Sequence, residues 1–398
     1  MRQWCGIGPV LWLFMAACAG VAPDPAAVSI DALPLRELSE DARARCVALE
    51  QSAIEAVVQR QYVAAEEAAN AALEIDPRSA RAHAVRGMVT LQQAAAVDPI
   101  EWRGLRQGES EMAVARLLAP ADAFVGWLHA VFLSESGHVS AAAAAAEAAL
   151  ERCADAPAAE KAALLGIAGT YRYELGEERA AVPHLEAYTS LRPRDATAQF
   201  RLGACLLVMS KTLQGVPPPY RVGQSYAEQA ADAFRRCVEL APGDEDASSS
   251  IAAALLRAAE LARLKPEGDP ASRAAEAALL EQQALDHLRT VTERFPDSAE
   301  ARFRLGVVAG QLRQAELAQQ SYRDGLARDP SHAGCLMNLA AMASERGDRD
   351  EARGLLLRLL AAEDARQQLT SEERQLVQGW LDSKSAAQPS GAQIPRML

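Results

Sequence analysis

From Cys46 to Ala362 the small and apolar positions follow one order that returns roughly every 34 residues. A leucine is followed by glycine or alanine. Polar or glycine-bearing positions come next, then an alanine with a large apolar residue four places on, and finally a proline. Leu305, Gly306, Ala318, Tyr322 and Pro330 show the order most cleanly. Apolar residues three and four places apart build one face of a helix, so each unit predicts two helices. Proline ends the second one, because it has no amide proton and turns the preceding residue away from helical geometry. Gly137, Gly176 and Gly347 fall at the turn between two helices, where a positive φ is tolerated. Small residues on facing helices let the axes approach, and larger ones fill the space beside them.

The clean copy reads Arg302-x2-Leu305-Gly306-x2-Ala309, Ala318-x3-Tyr322 and Pro330. It resembles the tetratricopeptide repeat in every spacing, with Arg302 and Ala309 standing where that family carries aromatics. Gln199, Leu202, Gly203 and Leu206 lead in the same order to Ala230, Phe234 and Pro242, and Leu165, Ala168 and Gly169 lead to Ala181, Leu185 and Pro193. Looser copies run through Leu49, Ala53, Ala65 and Pro77; His83, Gly87 and Pro120; Ala130, Gly137 and Ala142; Ile251, Ala252, Ala284 and Pro296; and Leu339, Ala340, Gly347 and Ala352. The resemblance implies an all-α chain, a tetratricopeptide (TPR) superhelix or α-solenoid of helix-turn-helix repeats, with about eight repeats over residues 41–369. A generic bundle of Ala-rich helices would not explain the recurring proline.

Three copies are stretched. Gly306 to Pro330 spans 24 positions, whereas Gly87 to Pro120, Gly203 to Pro242 and Ala252 to Pro296 span 33, 39 and 44. The additions fall near 95–109, 211–226 and 260–280, between the helices of a repeat, and would crowd one rim of a solenoid. Both flanks of the longest, ASSSIAAALLRAAELARLK and ASRAAEAALLEQQALDHLRTVTER, look helical. They predict a hairpin reaching about 15 Å beyond its neighbours if each helix gains roughly 10 residues. In KTLQGVPPPYRVGQS, the prolines at 217 to 219 followed by Tyr220 and Arg221 predict a stiff, exposed loop. Thr370-Ser371-Glu372-Glu373 forms a capping box before a stripe of Leu376, Val377 and Trp380, so 370–384 predicts a cap helix. Residues 385–398 lack periodicity and predict a disordered tail.

Alanine is abundant and only 5% of residues are aromatic, which suits helices packed through small side chains. A net charge of -12, with Lys and Arg scattered among carboxylates, argues against nucleic acid as a partner. MRQWCGIGPVLWLFMAAC has one cation at Arg2, an apolar stretch and then small residues, the form of a secretory signal over 1–17 and too short to span a bilayer. Met15-Ala16-Ala17-Cys18 resembles a bacterial lipoprotein box, with Met15 where leucine is usual. That resemblance implies a diacylglyceryl group on Cys18 and membrane attachment through this lipid anchor only. Ala19, where aspartate would argue for the inner membrane, implies the outer one.

Residues 18–40 predict a flexible tether, being rich in Ala, Pro and Gly as far as Pro34. The folded part keeps Cys46, Cys153, Cys205, Cys237 and Cys335, an odd number that implies no obligatory disulfide framework. Cys205 and Cys237 fall in the two helices of one repeat, and either pair or pack as small buried side chains.

Tetratricopeptide superhelices present the second, fifth, ninth and twelfth positions of their first helices along a concave groove. By that resemblance Met88, Leu91, Phe124, Trp127, Val131, Tyr173, Phe200, Leu207, Phe303, Val307 and Met337 line or edge such a surface. An apolar groove suits a hydrophobic segment or amphipathic helix of a protein partner, with Trp127 and Phe200 as anchors. Each of these side chains has the alternative of packing between repeats. Trp127, Gly166, Phe200, Phe303 and Met337 occupy fifth positions, so the Lys and Asn clamp of chaperone-binding relatives is not expected.

The histidines form no HExxH pair, and a phosphate loop, GxSxG and CxxC are missing. No metal, cofactor or catalytic role is expected. Solenoid and lipobox together predict a non-catalytic scaffold or adaptor in the bacterial cell envelope, periplasmic and lipid-anchored. It would resemble the outer-membrane tetratricopeptide lipoproteins that serve as pilotins or protease adaptors. The rival reading is a soluble exported protein that acts mainly through self-association, with Cys18 unmodified.

Overall fold

The computed structural model describes residues 29–96, 102–212, 219–265, 268–366, 369–382 and 394. Segment 1–17, Cys18 and all of 385–398 except Ile394 lie outside the described residues. Among those described, the chain forms seventeen α-helices and no strand. Sixteen of them make eight consecutive hairpins: α1 (Glu40–Val58) with α2 (Tyr62–Ile75), α3 (Ala80–Ala95) with α4 (Trp102–Leu118), α5 (Ala123–Glu135) with α6 (Val139–Arg152), α7 (Ala158–Glu174) with α8 (Glu178–Leu191), α9 (Ala196–Thr212) with α10 (Pro219–Leu240), α11 (Glu245–Leu264) with α12 (Pro270–Arg294), α13 (Ala299–Gln311) with α14 (Ala315–Arg328), and α15 (Ala333–Glu345) with α16 (Arg349–Arg366). A last helix, α17 (Ser371–Asp382), follows alone.

The start of a hairpin is written in two residues. Pro77, Pro120, Pro193, Pro242, Pro296 and Pro330 all lie between the second helix of one hairpin and the first of the next. Two places after each stands a residue whose side chain accepts from the backbone amide three residues on: Ser79, Asp122, Asp195, Asp244, Ser298 and His332. Such a cap satisfies an amide that a helix N-terminus leaves orphaned and stabilises it by about 1 kcal/mol. The second helices α2, α6, α8 and α14 lack a side-chain cap; they follow tight turns instead. Gly137 and Gly176 take φ of 82° and 70° at the turns before α6 and α8, Arg60 and Arg313 adopt the same left-handed geometry at 58° and 60° before α2 and α14, and Gly347 does so at 83° before α16, which Asp348 caps.

Close approach of paired helices depends on a missing side chain. A Cβ on Gly306 would stand 2.5 Å from the Tyr322 ring, one on Gly203 2.9 Å from Phe234, and one on Gly169 2.9 Å from Leu185. In each case the eighth position is empty so that a large residue of the second helix can seat there.

Two compact units divide at Leu202 and Gly203, inside α9. In the first, Ala53, Ala69, Val85, Met112, Leu128 and Phe132 belong to one core cluster, and Ala146, Ala149, Leu164 and Ala168 to another. In the second, Phe234, Leu285, Leu288, Leu336, Leu356 and Leu359 are fully buried. The five described cysteines are buried and form no disulfide among the described residues.

Helix length accounts for the stretched copies. α11 and α12 have 20 and 25 residues against 13 and 14 in α13 and α14, an excess worth roughly 10–16 Å at 1.5 Å per residue. The stiff loop expected around Tyr220 and Arg221 is corrected: Pro219 is already the first residue of α10, and 213–218 lie outside the described residues. Proline fits there because the first helical amide needs no partner.

Of the flexible tether expected over 18–40, residues 18–28 lie outside the described residues, and the part from Ile30 to Arg36 needs correction. Within it, Arg78 donates to the carbonyls of Ile30 at 3.1 Å and Leu33 at 3.3 Å, and Arg36 donates to those of Glu74 and Ile75. The Arg78 fork, through Nε and Nη2, and the Arg36 Nη1 thus fasten the segment from Ile30 to Arg36 on the end of α2 and the turn that follows it. In the tail expected to be disordered, Ile394 is buried, with 7% exposure.

Candidate protein-binding face

In the first unit the expected groove residues divide by depth. Met88 and Leu91 on α3 and Phe124 on α5 are buried in the cluster that holds Leu128 and Phe132. Trp127 and Val131 are half-buried and pack over that cluster, one helical turn apart on α5. The rings of Phe124 and Trp127 lie 5.7 Å apart at 39°. Tyr173 on α7 and Phe200 on α9 are half-buried. In the second unit Leu207 and Val307 are half-buried, while Phe303 and Met337 are buried.

Five expected groove residues are therefore corrected: Met88, Leu91, Phe124, Phe303 and Met337 pack inside and present almost no surface. The cause differs from place to place. Around α3, the large side chains of α5 close the face of their neighbour. Phe303 lies against the bare backbone of Gly334, where a Cβ would come within 2.5 Å of its ring, and between the rings of Tyr322 and His332 at 6.1 and 5.2 Å. Met337 has no exposure at all.

Polar groups frame the apolar positions. The Arg81 guanidinium stands 5.8 Å above the Phe124 ring and pairs with Asp122 at 2.7 Å and Glu160 at 3.6 Å. Burial is the largest single influence and opposes its charge, yet the Asp122 hydrogen bond and the charges of Asp122, Glu160 and Glu50 together outweigh it, so the pKa of Arg81 lies above the ordinary arginine value. Asp122 thus caps α5 and holds Arg81 at once. Arg81 is missing from the apolar set, although its second position in α3 is the signal that finds it. Arg201 donates to the Thr170 hydroxyl at 3.0 Å, tying α9 to α7 beside Tyr173 and Phe200.

Elsewhere in the first unit, burial and the nearby charges of Arg116 and Arg152 push His129 down to about 4. Its imidazole is neutral near pH 7, with Arg116 Nη1 at 3.4 Å from Nε2. Among the described residues no three His, Cys, Asp or Glu side chains are grouped to hold a metal ion, and no helix is long and apolar enough to cross a membrane.

Residues 281–318, from α12 through α13 into α14, match the family model for the tetratricopeptide repeat. The chain carries a tetratricopeptide repeat. No curated protein sequence matches it significantly. Among solved structures it is similar to the C-terminal part of a TPR repeat-containing protein from Cytophaga hutchinsonii, at 16% identity over 72% of this chain and 98% of that one, with a TM-score of 0.44. It is also similar to pilF of Pseudomonas aeruginosa, at 16% identity over 70% and 100% of the two chains and a TM-score of 0.40. YrrB, described as a TPR protein with an unusual peptide-binding site, shares 20% identity over 56% of this chain and 95% of its own, with a TM-score of 0.40. At these values the likeness is one of helical-hairpin architecture and carries no partner across.

Proposed function

We propose that this tetratricopeptide chain is a protein-binding adaptor whose first unit takes the apolar face of a partner's amphipathic helix or hydrophobic segment. The supporting observation is that Trp127, Val131, Tyr173 and Phe200 stay half-exposed at inner positions, while the apolar cluster under Trp127 and Val131 is closed. Trp127 and Val131 are four residues apart, so they offer two anchor points one turn from each other, a spacing that a helix lying in a groove can match. Aromatic anchors of this kind lose about 2 kcal/mol or more of binding on truncation to alanine, roughly 30-fold in affinity. By this reading a lipid on Cys18 keeps the adaptor at the outer membrane, facing the periplasm, where it recruits or helps assemble envelope proteins.

Quantitative affinity capture from membranes, comparing the native chain with the Trp127→Ala, Phe200→Ala double variant, tests the groove. A specific partner should be depleted at least about tenfold in the variant; equal recovery of the same proteins by both would refute the reading. Light scattering separates the rival, because a defined homo-oligomer unaffected by the two substitutions would point to self-association. Anchoring fails as an idea if globomycin does not block maturation and Cys18→Ala leaves membrane fractionation unchanged.

A further inference from the structure

Several cations along the first helices are neutralised within the chain. Arg81 pairs with Asp122 and Glu160, Arg172 with Glu147 and Glu177, and in the second unit Arg304 pairs with Glu300 and Asp246. Arg201 on α9 has a partner of another kind. It is half-buried, its Nη1 donates to the Thr170 hydroxyl at 3.0 Å, and among the described residues no carboxylate forms an ion pair with it.

The contact reaches an inner position. Gly169 is eighth in its repeat, so Thr170 is ninth and Tyr173 twelfth, and both are half-buried. Phe200, fifth in α9 and half-buried too, directly precedes Arg201. The guanidinium is thus held from α9 on a groove position of α7, three residues and about one helical turn from Tyr173. A half-buried guanidinium has given up part of its hydration, and a hydroxyl returns a dipole where a carboxylate would return a charge. Thr170 accepts this bond and keeps one proton to donate, while Arg201 keeps its remaining N–H groups. Together they offer a seat for one carboxylate.

We propose that Arg201, seated on Thr170, sets the specificity of the first unit by pairing with an aspartate or glutamate side chain beside the apolar face of the partner's helix. This rests on the reading that the first unit binds such a helix. One cation is too few to hold a phosphate-bearing surface, whereas a planar guanidinium matches a single carboxylate. The net charge of -12 favours basic partners at long range, but that field is screened beyond about 8 Å at physiological salt, so at contact the local groups decide. They also set direction. On α3, Arg81 already has two carboxylates, so an acidic residue is welcome at the α9 end of the face and not beside Phe124 and Trp127. A partner with acid at one end of its apolar stripe therefore lies one way round.

The test selects a displayed library of helix-biased peptides, apolar along one stripe, randomised elsewhere and fused at both ends, against the full chain and its Arg201→Gln variant. Peptides that lose binding to the Trp127→Ala, Phe200→Ala double variant are the ones that use the groove. Those chosen on the native chain should carry Asp or Glu at one fixed offset from the stripe, and those chosen on Arg201→Gln should not. In a recovered peptide, exchanging that Glu for Gln should weaken binding to the native chain about tenfold and to Arg201→Gln by less than about twofold. Arg201→Lys, which keeps the charge without the fork, should retain part of the difference. Because the readout compares two peptides on one chain, a general loss of folded protein does not imitate it. Groove-dependent peptides without an acidic preference, or with the same preference on both chains, overturn the assignment and leave the groove standing. So does a preference that appears only in a parallel library ending in a free carboxyl group, since the seat then takes a chain terminus. If no peptide depends on Trp127 and Phe200, the groove reading fails and this one falls with it.

Discussion

Gly306→Ala sets the packing argument against the usual benefit of the same substitution. In a helix interior, glycine to alanine stabilises by about 1 kcal/mol. At Gly306 the new methyl would lie 2.5, 2.7 and 3.0 Å from three carbons of the Tyr322 ring, where ordinary contact needs about 3.5–4.0 Å. The ring has to retreat by roughly 1 Å. It cannot do so freely, because Tyr322 is 4% exposed, stands 6.1 Å from Phe303, and accepts a buried hydrogen bond from Asn338 Nδ2 at 3.0 Å. Overpacking costs about 1–3 kcal/mol and a broken buried hydrogen bond about 1 more, so the net effect is a loss of about 1–3 kcal/mol. Gly354→Ala in α16 is the matched control, since a Cβ there meets nothing within 4 Å. It should gain up to about 1 kcal/mol. Repeat arrays open locally, so urea unfolding by circular dichroism should be read together with amide exchange over α13 to α15. If Gly306→Ala proves as stable as Gly354→Ala, the eighth position does not seat the facing ring and the packing account fails.

Other consequences are equally concrete. Asp122→Ala removes both the cap of α5 and the 2.7 Å partner of Arg81; a loss of about 1–3 kcal/mol is expected in denaturant melts, and an unchanged midpoint would contradict it. His129 has a folded pKa of about 4 against an ordinary 6.5, so between those values the unfolded chain binds a proton that the folded chain refuses. Its contribution is therefore whole above pH 6.5 and lost as pH falls through about 4, at most about 3 kcal/mol, and His129→Gln should flatten that acid limb of the stability profile. Arg78→Ala frees the carbonyls of Ile30 and Leu33; limited proteolysis near residues 30–36 should quicken while the melting midpoint moves by less than about 1 kcal/mol equivalent, and unchanged cleavage would deny that the fork holds the segment.

Much of the architecture is legible in the chain because its signals are local. Proline between hairpins, glycine at the turn and a small residue facing a large one act within a few residues, so Pro330, Gly347 and Gly306 announce their roles without a structure. The pairing of each proline with a cap two residues later is equally local, and Pro120 with Asp122 or Pro296 with Ser298 could be found by spacing alone. The sequence also names the inner positions, since helical periodicity fixes which residues share a face.

Depth on that face is another matter. Trp127 and Met337 occupy the same fifth position, yet one is half-exposed and the other closed. Burial depends on what a neighbouring helix or a distant segment lays over a side chain, which is a sum over residues far apart in the chain. For the same reason Arg78 turns part of an apparent tether into a fastened strap, and Ile394 is packed within a stretch that has no periodicity of its own. Sequence by itself determined the helices, their pairing and their register. Only the tertiary structure decided which apolar side chains remain available to a partner, because exposure is set by long-range packing and not by any residue's own chemistry.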